Sequence, residues 1–144
     1  MSSLPNPKFL LNIKNNNDYC FLYCIAAYFH REYVDYPDNP NEPAYLDFIE
    51  TLDVTNMNFP CQISDLEQFA LNNKKLDICL NIFCIHQKNI YPSRLNIGRG
   101  NHVISILIVD IPKKTKKENG AIYGVGHAIL ILDLNRFLAK QYPC

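Results

Sequence analysis

From about residue 76 onward the apolar residues of this chain change their spacing, and that switch constrains the fold more than any other feature. Before it they follow a helical period. Phe21, Cys24, Ile25, Tyr28 and Phe29 form a stripe on a helix expected from about Cys20 to Phe29. Tyr45, Phe48, Ile49 and Leu52 do the same for Ala44 to Leu52. Leu66, Phe69 and Ala70 mark a third helix beginning at Ser64, where Ser64 and Glu67 have capping-box spacing. After the switch the apolar residues form runs: Leu76 to Ile85, Val103 to Ile111, and a third starting near Ala121 or His127 and ending at Leu132. These read as buried strands. The polar segment Pro112 to Gly120 makes the last two a predicted hairpin. Asp133 then reads as the N-cap of a short helix, Leu134 to Lys140. Helices first and sheet second is the order of an α+β domain, here N-terminal helices packed on a small antiparallel sheet.

A length of 144 residues suits one domain, 1–144, around one core. Its abrupt end at Tyr142-Pro143-Cys144 fits a piece of a larger protein. Lys+Arg and Asp+Glu both number 14, so the basic excess of a nucleic-acid binder is missing and no direct nucleic-acid binding is expected. The one basic cluster, Lys113, Lys114, Lys116 and Lys117, falls in the expected hairpin loop, where a solvated surface explains it. No apolar run, Val103 to Val109 included, approaches the ~20 residues that span a bilayer, so no membrane partner is expected. The polar start, Met1 to Asn6, lacks a signal-peptide pattern, which points to an intracellular protein, cytoplasmic or nuclear, with reduced cysteines. Among the six cysteines no pair has CxxC spacing. Cys79, Cys84 and His86 lie close in sequence, but strand alternation turns Cys79 and Cys84 to opposite faces, so neither a metal nor another cofactor is expected.

One cysteine stands apart. Cys20 sits where the first helix begins, behind Asn16-Asn17-Asp18-Tyr19. Asn and Asp ahead of an apolar stripe signal a helix start. Free N–H groups and the helix dipole at such a start favour a thiolate and can hold an oxyanion, so the backbone around Asn17 and Asp18 is the candidate oxyanion hole. The competing reading of Cys20 is a structural thiol on the helix stripe. A nucleophile needs a base. His30 lies ~15 Å along the same helix, too far away. His86 enters a polar stretch and reads as a surface residue. His127 and His102 each open a strand, where side chains project into a cleft. His127, after Gly124-Val125-Gly126 and before Ala128-Ile129-Leu130-Ile131-Leu132, is the first candidate, and His102 the rival. The third member stays open. Asp133 follows His127 by six residues, ~20 Å along a straight strand, so it reaches His127 only if the strand bends. It could instead meet His102 or serve as a helix cap. Asp18, Asn17 and a backbone carbonyl are the other candidates.

The stretch Asn17-Asp18-Tyr19-Cys20-Phe21-Leu22-Tyr23-Cys24-Ile25 resembles the nucleophile motif of OTU-type (ovarian tumour) cysteine proteases, where an Asp-Gly-Asn-Cys-Leu-Phe pattern opens the central helix. Ile104 to Ile108, followed by Gly126-His127-Ala128-Ile129-Leu130-Ile131, is similar to that family's closing strand and Gly-His-Tyr element. A domain near the N-terminus of polymerase-like proteins from self-replicating transposons and related viral elements is similar over more of the chain. The similar stretches are Leu11 to Ile25, Asn58 to Pro60, Ser64 to Asn73, Leu80 to Phe83, Ile90 to Pro92, His102 to Ile108 and His127 to Leu138. The resemblance implies a papain-like fold and a catalytic set of Cys20, His127 and Asp133, with His102 still open because both late histidines recur in that group. It also implies a thiol protease acting on ubiquitin or a ubiquitin-like protein, a deubiquitinase. Two alternatives stand beside it: a catalytically inactive protease-like binding module, and a polyprotein-processing protease of a mobile element. The sequence departs from the motif in the residues flanking Cys20 and at Ala128, where a Tyr is usual.

Overall fold

The computed structural model describes residues 9–15, 17–86, 89–110 and 126–141. The expected hairpin loop with its lysines, the Gly124-Val125 approach to His127 and the Tyr142-Pro143-Cys144 end lie outside the described residues. The elements run β1 (Leu10–Leu11), α1 (Cys20–His30), α2 (Pro43–Glu50), α3 (Ile63–Asn72), β2 (Ile78–His86), β3 (Asn89–Ile97), β4 (His102–Asp110), β5 (Gly126–Ile131) and α4 (Leu134–Gln141). The fold is mixed α and β, and among the described residues five strands form one sheet ordered β1-β5-β4-β2-β3.

The apolar pattern explains the layers. On β4 and β5, Ile104, Ile106, Ala128 and Leu130 face one side and join the core under α1, α2 and α3. Their neighbours Leu107, Val109, Ile129 and Ile131 face the other and pack with Phe83 and Phe137 of α4. A strand covered on both faces has no polar side to show, which is why these segments read as unbroken apolar runs. Helix α1 is the centre of the first layer. Its residues Phe21 to Ala27 are all buried, so the helix is enclosed well beyond the stripe seen in sequence. Tyr45 of α2 is fully buried, and its hydroxyl donates to Pro37 O at 2.8 Å, tying the Pro37–Pro43 loop to the core.

The antiparallel-sheet expectation needs correction. β4 pairs antiparallel with β5, as the hairpin requires, with Asp110 opposite Gly126. But β2 and β4 run parallel, Ile78 beside His102 and Ile85 beside Val109. The cause is β3, which the sequence did not betray. It folds back on the outer edge of β2, so the chain returns to the start of β2 before β4 begins. Residues 98–101 then cross the end of β2 at very close range. Gly100 N–H donates to Ile78 O at 2.9 Å and His102 N–H to Asp77 O at 2.8 Å. A Cβ on Gly100 would lie 1.9 Å from the Asp77 carbonyl carbon, and Gly98 holds φ +85°, so glycine is required at both.

Helix α3 begins one residue earlier than expected. Buried Asp65, not Glu67, closes its N-terminus: the carboxylate accepts the Gln62 N–H and the Asn58 N–H, each at 2.9 Å. Among the described residues no helix is long and apolar enough to cross a membrane.

Candidate active site

Cys20 is the first residue of α1. The helix N-cap is Tyr19, and no side chain caps the first turn. The Asn cluster acts one step earlier than a helix cap would: Asn17 Oδ1 accepts the Tyr19 N–H at 3.0 Å, turning the chain into the helix. The helix's own first N–H groups therefore remain directed at the cysteine.

The sulfur also touches the sheet. The Ala128 N–H donates to Cys20 Sγ at 3.3 Å. This contact brings together two segments 108 residues apart and sets the sulfur beside the residue that follows His127. His127 is the second residue of β5 and is half-buried. Its Nε2 meets Asn12 Oδ1 at 2.5 Å. An amide oxygen only accepts, so the shared proton belongs to Nε2, and Nδ1 is left as the lone-pair nitrogen of the neutral ring. Asn12 reaches this place because β1 pairs with β5, with Leu11 opposite Leu130.

Three cysteines cluster at this end of α1, and their surroundings separate them. Burial pushes the Cys20 thiol up, and the Asp18 carboxylate adds to the rise. N–H groups of Ala128, Cys20 and Phe21 pull it back down. Cys24, one turn along, is pushed well up by complete burial. Cys61 is pushed up to about 12 by burial and then by the charges of Asp65 and Cys20. Cys20 alone of the three is held by backbone donors that favour its anion. Burial likewise pushes His127 below the ordinary imidazole value. Both shifts act in one direction: the resting pair is thiol and neutral imidazole.

The other sequence candidates are placed elsewhere. Asp133 lies beyond the far end of β5 from His127 and accepts the Arg136 N–H at 3.1 Å, the geometry of a cap on α4. The strand does not bend to bring it back. His102 packs edge-on against Tyr28 and Phe29, with Tyr28 Oη 3.4 Å from its Nδ1, at the opposite end of α1 from Cys20. Asp18 is exposed, and its charge opposes the thiolate. Asn17 is engaged with Tyr19 and with Asn15. Asn12 was not among the sequence candidates. Its one signal was a lone amide within Phe9-Leu10-Leu11-Asn12-Ile13, on the side of the alternation opposite Leu11 and Ile13.

Just ahead of Cys20, the Tyr19 ring meets the Phe59 ring edge-on at 4.9 Å. A cavity of about 530 Å³ opens at the far end of β2, between Leu71, Lys74, Arg94 and Arg99, and takes no part in this site. No protein-family model, no curated protein and no solved structure matches the chain.

Proposed function

We propose that the protein is a cysteine protease of papain-like, OTU-like architecture, in which Cys20 attacks a peptide or isopeptide carbonyl and His127 is the base. One observation carries the reading: the Ala128 N–H bond to Cys20 Sγ, which sets the sulfur of an uncapped helix start against the backbone of the residue after His127, whose ring is bonded to Asn12. Nδ1 of His127 takes the thiol proton as the sulfur bonds to the carbonyl carbon, and the carbonyl π pair moves to oxygen. N–H groups at the start of α1 hold that oxyanion. When the carbonyl reforms, the C–N bond breaks and the imidazolium gives its proton to the departing amine. Water then releases the thioester by the same base. Asn12 keeps the ring in the tautomer that both steps need.

The substrate class follows from the sequence resemblance: ubiquitin or a ubiquitin-like protein, cleaved at its C-terminus. Release of a fluorophore from a ubiquitin C-terminal amide tests it. Wild-type turnover lost in both Cys20→Ala and His127→Ala supports the reading. Turnover that persists in Cys20→Ala refutes it. No turnover, with cleavage of a longer polyprotein substrate instead, moves the substrate to a processing site of a mobile element.

A second reading, an inactive protease-like binding module, draws on the burial that holds Cys20 as a thiol and His127 neutral. It predicts ubiquitin binding without any thioester at Cys20.

A further inference from the structure

The chain just ahead of the nucleophile is braced by a side chain whose hydrogen bonds go to neither Cys20 nor His127. Asn15 Nδ2 donates twice to Asn17, to the backbone oxygen at 3.1 Å and to Oδ1 at 3.0 Å. Asn17 Oδ1 in turn accepts the Tyr19 N–H at 3.0 Å. One amide group thus fixes the carbonyl of one peptide and, through Asn17, the N–H two residues on.

The orientation follows. A trans peptide points its C=O and N–H to opposite sides. Drawing the Asn17 carbonyl toward Asn15 turns the Asp18 N–H away from it. Tyr19 N–H is held by Asn17, and the Cys20 and Phe21 N–H groups act on the sulfur. The bracing sets the direction of the two peptides that follow Asn17, from which the chain enters the helix.

The Asn15 amide holds this pose at a cost. Its Oδ1 is buried and has no hydrogen-bond partner among the described residues. An unpaired buried oxygen is unfavourable. Turning the amide over would expose no remedy, because it would set that oxygen against the two oxygens of Asn17. A side chain that sacrifices stability to keep two bonds in one place is more easily explained by a function than by the fold.

We propose that Asn15 is a positioning residue for the oxyanion donors of the Asp18–Cys20 turn. This inference rests on the reading of Cys20 as nucleophile. A loosened donor misses the oxyanion but leaves the thiol and its base in place, so its loss separates two reactions of the same sulfur. Alkylation by iodoacetamide forms no oxyanion. Amide hydrolysis and hemithioacetal formation with an aldehyde both place charge or a hydroxyl on the former carbonyl oxygen.

The test is Asn15→Ala and the near-isosteric Asn15→Asp, which keeps the shape and cannot donate. Three quantities are measured: kcat and KM on the ubiquitin amide, affinity for a ubiquitin C-terminal aldehyde, and the iodoacetamide rate at Cys20. We expect kcat and aldehyde affinity to fall together by about 10–100-fold, somewhat less than deletion of a whole oxyanion donor. KM and the alkylation rate stay within about twofold. Unchanged kcat in Asn15→Ala overturns the proposal. So does a fall in alkylation matching the fall in kcat, which would place Asn15 with the thiol or the fold. A wild type that neither hydrolyses the amide nor binds the aldehyde sinks the reading of Cys20, and the bracing role with it. A wild type that does both, beside an unaffected Asn15→Ala, sinks the bracing role alone.

Discussion

Replacing Asn12 with leucine tests the His127 orientation most sharply. Leucine has the same number and branching of side-chain heavy atoms as asparagine and offers neither donor nor acceptor. In the native chain Nε2–H of His127 meets Asn12 Oδ1. In the proposed reaction the ring becomes an imidazolium, so the lost bond is one to a charged group. Such bonds contribute about 1.5–3 kcal/mol. At ~1.4 kcal/mol per factor of ten, kcat should fall about 10–150-fold. KM should hold, because Asn12 lies behind the ring rather than against the substrate. Asn12→Asp is the companion variant. It keeps the acceptor and adds a negative charge that favours the imidazolium, so His127 gives up its proton less readily and the acidic limb of the pH–rate profile moves to higher pH. The assay is steady-state hydrolysis of the ubiquitin amide from pH 5 to 9, with thermal denaturation as the control for folding. Full kcat in a folded Asn12→Leu protein would refute the argument, and so would a downward shift of the limb in Asn12→Asp.

Further outcomes follow from the same geometry. His127 is held below its unfolded value of ~6.5, so its contribution to stability is complete above that pH and declines as pH falls from there through the lowered folded value. Urea midpoints measured between pH 5 and 8 should therefore drop on acidification, and His127→Gln should flatten part of the drop; an unchanged slope contradicts the burial. Cys20 alkylation should keep rising above pH 9 because burial outweighs the three N–H groups, whereas a plateau near neutral pH would show a resting thiolate. Gly100→Ala should cost about 2–3 kcal/mol or more in urea melts, since its Cβ meets backbone that cannot step aside. Tyr45→Phe should cost about 1–2 kcal/mol by leaving the Pro37 oxygen without its donor.

The parts of this fold that the sequence displays are those whose burial is one-sided or complete. The α1 start at Cys20, the β4–β5 hairpin and the Asp133-capped α4 each rest on local patterns: polar cap residues, unbroken apolar runs, a short amphipathic tail. β3 carried no such pattern. Tyr91 to Asn96 are exposed on both faces at the sheet edge, and Pro92 stands among them, so neither alternation nor a run marked a strand. Missing it turned a mixed sheet into an expected antiparallel one. Asp65 displaced the expected Ser64–Glu67 cap because its second partner, Asn58, lies outside the helix pattern.

The candidate site divides the same way. Cys20 is legible from helix-start chemistry, and His127 from a strand opening flanked by glycine. Asn12 is not, because its position relative to His127 depends on strand pairing across 115 residues. Residues near a base in sequence drew attention instead. On a straight strand, nearness of that kind carries Asp133 away from the ring.

Peptide mapping of the adduct formed with a ubiquitin probe bearing a C-terminal electrophile tests the central claim directly. The account predicts one modified site, Cys20, with labelling lost in Cys20→Ala and strongly slowed in His127→Ala. An adduct on Cys24 or Cys61, or labelling that survives Cys20→Ala, contradicts it.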